Sequence, residues 1–169
     1  MAKSYGVPVA LITALCLVGV AHCVERLVVE GPVFCDTCRV DFATPVSYDL
    51  KDAKVKVECR NRTTGVVTIS VEGKTGKDGW YRIPVEGDHE EELCEVSLLE
   101  SPVAECNEQL KGSVHVARIS LTNRNGLVQS SRFASSLSYA PKTPVADCVK
   151  VLLEMGVLPP DFFLPVGSN

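Results

Sequence analysis

The sequence predicts an all-β fold: a small antiparallel β-barrel or sandwich of about six to seven strands, stapled by three disulfides, with one short C-terminal helix. Three observations carry this reading. Short segments of alternating apolar and polar residues recur along the chain, clusters of Gly, Asn and Asp separate them, and six cysteines follow a leader-like start. The 169 residues are 46% apolar and 22% charged, which is enough for one domain with a core.

Met1, Ala2 and Lys3 make a weakly basic start, and residues 7–20 are almost unbroken apolar sequence. Ala21, His22 and Cys23 then precede the charged pair Glu25 and Arg26. A basic start, an apolar middle and a small-residue exit are the order of a signal peptide, here residues 1–23. The apolar stretch falls short of the roughly 20 residues a membrane-spanning helix needs, so no span is expected once the leader is cleaved. The β-domain is then residues 24–158, followed by a Pro/Phe-rich tail over 159–169.

Residues 27–35 are rich in Val and end at a Cys-x-x-Cys. Residues 53–59 place Ala53, Val55, Val57 and Cys59 on one face of a strand. Residues 67–71, 80–85, 93–99 and 114–121 follow the same pattern. Lys77-Asp78-Gly79 and Asn123-Arg124-Asn125-Gly126 supply turn chemistry. In residues 144–156 the period changes: Val145, Cys148, Val149, Leu152 and Leu153 recur at helical spacing. Pro144 suits a first helical turn and Gly156 a stop, so one short helix with Cys148 on its buried face is expected. Pro159, Pro160 and Pro165 keep the tail out of regular structure.

The net charge is −4, and Lys3 is counted in it, so the mature chain is slightly more acidic. No basic patch tracks a phosphate backbone, which argues against a nucleic-acid partner. Of eight cysteines, Cys16 and Cys23 leave with the leader, and six remain. An even number in a small exported chain reads as a disulfide framework, but spacing alone does not choose the pairing. Cys35-Asp36-Thr37-Cys38 could also be a redox motif or half of a zinc site. It ends a strand in a β-rich chain instead of opening a helix, and no second Cys-x-x-Cys recurs, so the structural reading is preferred and no metal is expected.

His89 lies in Asp88-His89-Glu90-Glu91-Glu92, which reads as a solvated charge run leading into a strand, and His115 as a core-edge residue. With so few histidines, no nucleophile elbow and no Gly-rich phosphate loop, catalysis and cofactors are not expected. Asn61-Arg62-Thr63 is a glycosylation sequon in a predicted loop. Trp80 and Tyr81 could form a carbohydrate-stacking platform, although one ring of such a pair is expected in the core.

The opening stretch and the cysteine spacing together resemble the olive-pollen major-allergen family (pollen Ole e I, extensin-like proteins). Its signature is matched by Gly31, Val33, Phe34, Cys35, Asp36, Cys38 and Arg39, with Phe34 where Tyr is usual. Lys77-Asp78-Gly79-Trp80-Tyr81, Asp88-His89-Glu90-Glu91 before Cys94, Ser101-Pro102 before Cys106 and Leu121-Thr122-Asn123 also look like family positions. The resemblance implies pairing of Cys35 with Cys106, Cys38 with Cys148 and Cys59 with Cys94. Long loops closed this way stabilise by on the order of 3 to 5 kcal/mol each in the entropic model. It further implies a small β-barrel or sandwich, secretion to the extracellular space or cell wall, glycosylation, and a part in pollen hydration or tube growth. Several members are allergens, so antibodies are possible partners, and no catalytic residues carry over.

The expected function is therefore that of a non-enzymatic extracellular binding or signalling module whose partner is a cell-wall polymer or a cell-surface receptor. The loop at Asn61 and the one spanning residues 123–133 are the expected contact surfaces. The alternative is a protease inhibitor with Lys111 or Arg132 as a basic anchor. A wall-polysaccharide hydrolase would need two positioned carboxylates, and no motif singles out a pair.

Overall fold

The structure is a computed structural model and describes residues 26–110 and 115–159. The leader and the tail from residue 160 lie outside the described residues. In chain order the elements are β1 (Arg26–Cys35), β2 (Tyr48–Asp49), β3 (Lys54–Asn61), β4 (Val67–Lys74), β5 (Trp80–Glu86), β6 (Glu92–Glu100), β7 (Val116–Ile119), β8 (Ser131–Phe133), β9 (Leu137–Tyr139) and helix α1 (Cys148–Glu154).

These strands form two sheets. One runs β4-β3-β6-β7, antiparallel throughout. The other is organised around β1, which pairs antiparallel with β5 from Arg26↔Glu86 to Pro32↔Trp80 and with β2 at its end. On its other edge β1 pairs in parallel with β8 and then β9. Alternation explains the layering. In β3, Val55, Val57 and Cys59 are fully buried while Lys54, Lys56 and Glu58 face outward, and Leu27, Val29 and Val33 of β1 are buried against them in one cluster. Each such side chain taken from water contributes about 1.5–3 kcal/mol.

The fold is a sandwich and not a barrel. Among the described residues no ladder joins β4 to β5, and Ile69, Val71 and Pro84 line an open cleft of about 440 Å³ between them. At Gly73 the missing side chain leaves room for Ile83 of the other sheet. The strand count also exceeds the expected six or seven, because β2, β8 and β9 have only two or three residues each, too few for a period to be read.

The helix is shorter than residues 144–156. The Val145 amide donates to the Thr37 carbonyl at 3.1 Å, which holds the chain in a turn before α1 begins. Its end behaves as the sequence implies. Gly156 has φ +70°, and the amides of Gly156 and Val157 donate to the carbonyls of Leu153 and Leu152, a Schellman stop.

Candidate functional site

The signature residues cluster at the end of β1. Gly31 has no room for a side chain, because the hydroxyl and ring end of Tyr81, across the ladder, fill that space. Val33 is buried in the main core, whereas Phe34 is buried outside it. Asp36 is fully buried, and its Oδ2 accepts the amides of Val40 and Asp41, both at 2.7 Å. Those bonds hold a loop in which Arg39 and Asp41 adopt the left-handed region (φ 59° and 63°). The Arg39 guanidinium donates to Glu108 at 2.8 Å and to the Pro141 carbonyl.

Two disulfides leave this loop in different directions. Cys35 is bonded to Cys106 with Cα atoms 6.1 Å apart, and Cys38 to Cys148 at 5.3 Å. The third, Cys59–Cys94, joins residues that already face each other across β3 and β6, with Cα atoms 4.0 Å apart. The Cys-x-x-Cys thus divides its sulfurs between the β-sandwich and the helix.

The acidic run at His89 is more structured than a solvated charge run, because a backbone anchor draws it inward. The His89 amide donates to Leu121 O at 2.8 Å, and the half-buried ring places Nδ1 3.0 Å from Glu92 Oε2 and Nε2 3.0 Å from the Glu86 carbonyl. Thr68 Oγ1 donates to the same Glu92 oxygen at 2.5 Å, and Arg62 donates to the carbonyl of Glu90 at 3.1 Å. Cys59 Sγ, a His89 nitrogen and a Glu92 oxygen lie within 4.8 Å of one another, and His89 and Glu92 line a hollow of about 220 Å³ with Arg62, Cys94 and Arg118. Sequence spacing could not reveal this grouping. Its one signal is that the two cysteines oppose each other in the β3–β6 register.

Electrostatics elsewhere are those of surface ion pairs. Hydrogen bonding to Lys56 holds Glu58 below the usual carboxylate range, Arg82 does the same for Asp78, and Lys54 for Glu100. Each of these three carboxyls is pushed down, the opposite of what a general acid near neutral pH requires. Tyr81 is pushed upward by burial.

The loop after β7 is tied down by Arg132, which is only 3% exposed. Its guanidinium donates to the carbonyl of Thr122 at 2.7 Å, to those of Gln129 and Ser131, and to Asn123 Oδ1 at 3.2 Å. Arg132 is therefore not an exposed anchor for a protease, and Lys111 lies outside the described residues. The loop's apolar groups point the other way. Val128 is fully exposed, Leu127 is 55% and Phe133 64% exposed, and Phe133 meets Trp80 edge-on at 6.4 Å. Of the adjacent aromatics, Tyr81 is the core residue and Trp80 the surface one. Asn61 ends β3 and caps the following turn, its Oδ1 accepting the amides of Thr63 and Thr64 at 2.9 Å. His115 lies just before β7 and is half-buried, bonded to the Leu110 carbonyl.

A two-sheet sandwich with three disulfides, whose most distinctive motif is spent on turning the chain and dividing two sulfurs, defines a stapled scaffold protein. The chain belongs to the family described as "Pollen protein Ole e 1 like", whose model matches residues 25–156. It is 44% identical over 163 residues to an Olee1-like protein of Betula pendula, covering 95% of this chain and 98% of that one. It is 42% identical over 158 residues to the anther-specific protein LAT52 of Solanum lycopersicum, covering 91% and 98%. The crystal structure of the major plantain pollen allergen Pla l 1 superposes with a TM-score of 0.64 at 29% identity, covering 73% of this chain and 99% of that one.

Proposed function

We propose that the protein is a secreted, non-enzymatic glycoprotein of plant reproductive tissue. It acts as an extracellular binding or signalling module on a cell-wall polymer or a cell-surface receptor during pollen hydration or tube growth. The observation that carries the reading is the 122–133 loop, pinned from inside by Arg132 while Leu127, Val128 and Phe133 stand in solvent. A rigid scaffold presenting exposed apolar side chains is the arrangement of a recognition surface. Three disulfides suit an oxidising compartment, and the relatives include an anther-specific protein and a pollen allergen.

The glycan belongs on Asn61, and the exposed surface makes the protein a potential allergen, as the plantain relative is. The test is a pull-down of pollen and stigma wall and membrane fractions with the mature protein, run beside the triple variant L127S/V128S/F133S. Retention of a polymer or receptor, weakened roughly tenfold or more in the variant, supports the reading. Equal retention by both removes the loop from it, and sugar released from wall glycans would replace it with an enzyme.

A further inference from the structure

The Cys59–Cys94 bond differs from the other two in its surroundings. Its cysteines face each other within the β3–β6 ladder, which runs from Lys54 to Asn61, so the strands stay paired if the bond opens. Cys94 lines the open hollow with Arg62, His89, Glu92 and Arg118, whereas Cys59 lies behind it with no exposed surface. Cys94, 4% exposed, is the half of the bond that borders the hollow. The Cys59 sulfur is the one beside His89 and Glu92.

We infer that this disulfide is a reducible cover over a metal site, and that reduction by a dithiol exposes a Cys59, Cys94, His89, Glu92 ligand set for a zinc-type divalent cation. The chemistry balances. One thiolate of the dithiol attacks the Cys94 sulfur, the S–S bond breaks, and Cys59 leaves as a thiolate beside the His89 ring. The second thiol of the reagent closes on the mixed disulfide and releases Cys94. Two electrons have passed from the dithiol, now a cyclic disulfide, to the two protein sulfurs. Metal binding then replaces the protons of both thiols, releasing them to solvent.

Two sulfurs, one imidazole nitrogen and one carboxylate oxygen are a suitable set for tetrahedral zinc. Such an ion holds its ligand atoms roughly 3.5 Å apart. Cys59, His89 and Glu92 already offer theirs within 4.8 Å of one another, and the second sulfur is bonded to the first. Thr68, donating to Glu92, and Glu86, whose carbonyl faces the His89 ring, are placed to orient the ligands. In the oxidised chain both sulfurs are spent on each other and the set is incomplete.

The test treats the folded, full-length mature protein with limiting dithiothreitol, removes the reagent without oxygen, and splits the sample. One half is alkylated and peptide-mapped, and the other is titrated with Co²⁺. The expected results are labelling of Cys59 and Cys94 before the other four cysteines, and one Co²⁺ per reduced chain with thiolate charge-transfer and tetrahedral bands that Zn²⁺ displaces. Untreated protein shows neither. His89→Asn and Glu92→Gln, each with the remaining two disulfides verified, should weaken Co²⁺ binding roughly tenfold or more. Earlier or simultaneous opening of another disulfide overturns the inference. So does a reduced chain that leaves Co²⁺ octahedral, or Co²⁺ affinity unchanged in both variants.

Discussion

Gly31 on β1 stands directly across the ladder from Tyr81 on β5, and the tyrosine's ring end occupies the space any side chain at position 31 would need. Tyr81 is itself fully buried and cannot swing aside. Gly31→Ala is expected to cost about 1–3 kcal/mol through overpacking. Adding Tyr81→Phe removes the atom nearest the new methyl and should recover part of that loss. Urea denaturation of the two single variants and the double variant measures the coupling.

The same tyrosine predicts an alkaline limit to stability. Burial raises its ionisation above the ordinary phenol range, and its hydroxyl has no hydrogen-bond partner. The folded pKa is the higher one, so the contribution is intact below the unfolded value of about 10 and is lost progressively as pH rises through and above it. Denaturation midpoints should fall above about pH 10, and Tyr81→Phe should flatten that fall. An equally steep decline in the variant would place its cause elsewhere.

Asp36 holds the left-handed turn of the signature loop through two short amide bonds. Asp36→Ala leaves both amides without their acceptor and should cost about 3 kcal/mol. Asp36→Asn keeps an acceptor oxygen and should cost nearer 1 kcal/mol. Hydrogen exchange resolves the mechanism, because the amides of Val40 and Asp41 should lose protection before those of β3 do.

Arg132 predicts a proteolytic phenotype. Arg132→Met frees the carbonyls of Thr122, Gln129 and Ser131 and should cost about 2 kcal/mol. The released loop carries the exposed Arg124, held in the native chain by Asp88 and Glu90. Limited trypsin digestion should cut the variant after Arg124 at concentrations the native protein survives. Equal resistance would show that the loop does not depend on this guanidinium.

The long strands were legible in the sequence because burial repeats along them. Val55, Val57 and Cys59 are interior for the reason their spacing implies. At β8 the same logic inverts. Arg132 points inward to backbone carbonyls and Phe133 outward, so polarity there misreports the face. The start of α1 was set by a hydrogen bond from the Val145 amide to the carbonyl of Thr37, more than a hundred positions away, and no local pattern encodes such a contact. The site was legible at Gly31, Cys35, Asp36 and Cys38 as a motif, but the reasons for it were not. Tyr81 over Gly31 and the buried Asp36 carboxylate belong to tertiary structure. The His89 cluster was hidden for a related reason, since a run of acids reads as solvent-facing until a backbone anchor at Leu121 draws it inward.

The parallel pairing of β1 with β8 and β9 bears on how the chain is made. The earliest strand to emerge during synthesis meets β5 midway, but its other edge stays open until residues 131–139 arrive. Such distant pairing slows folding and exposes the nascent chain to aggregation, which makes a holding chaperone more consequential for this protein than its modest size suggests.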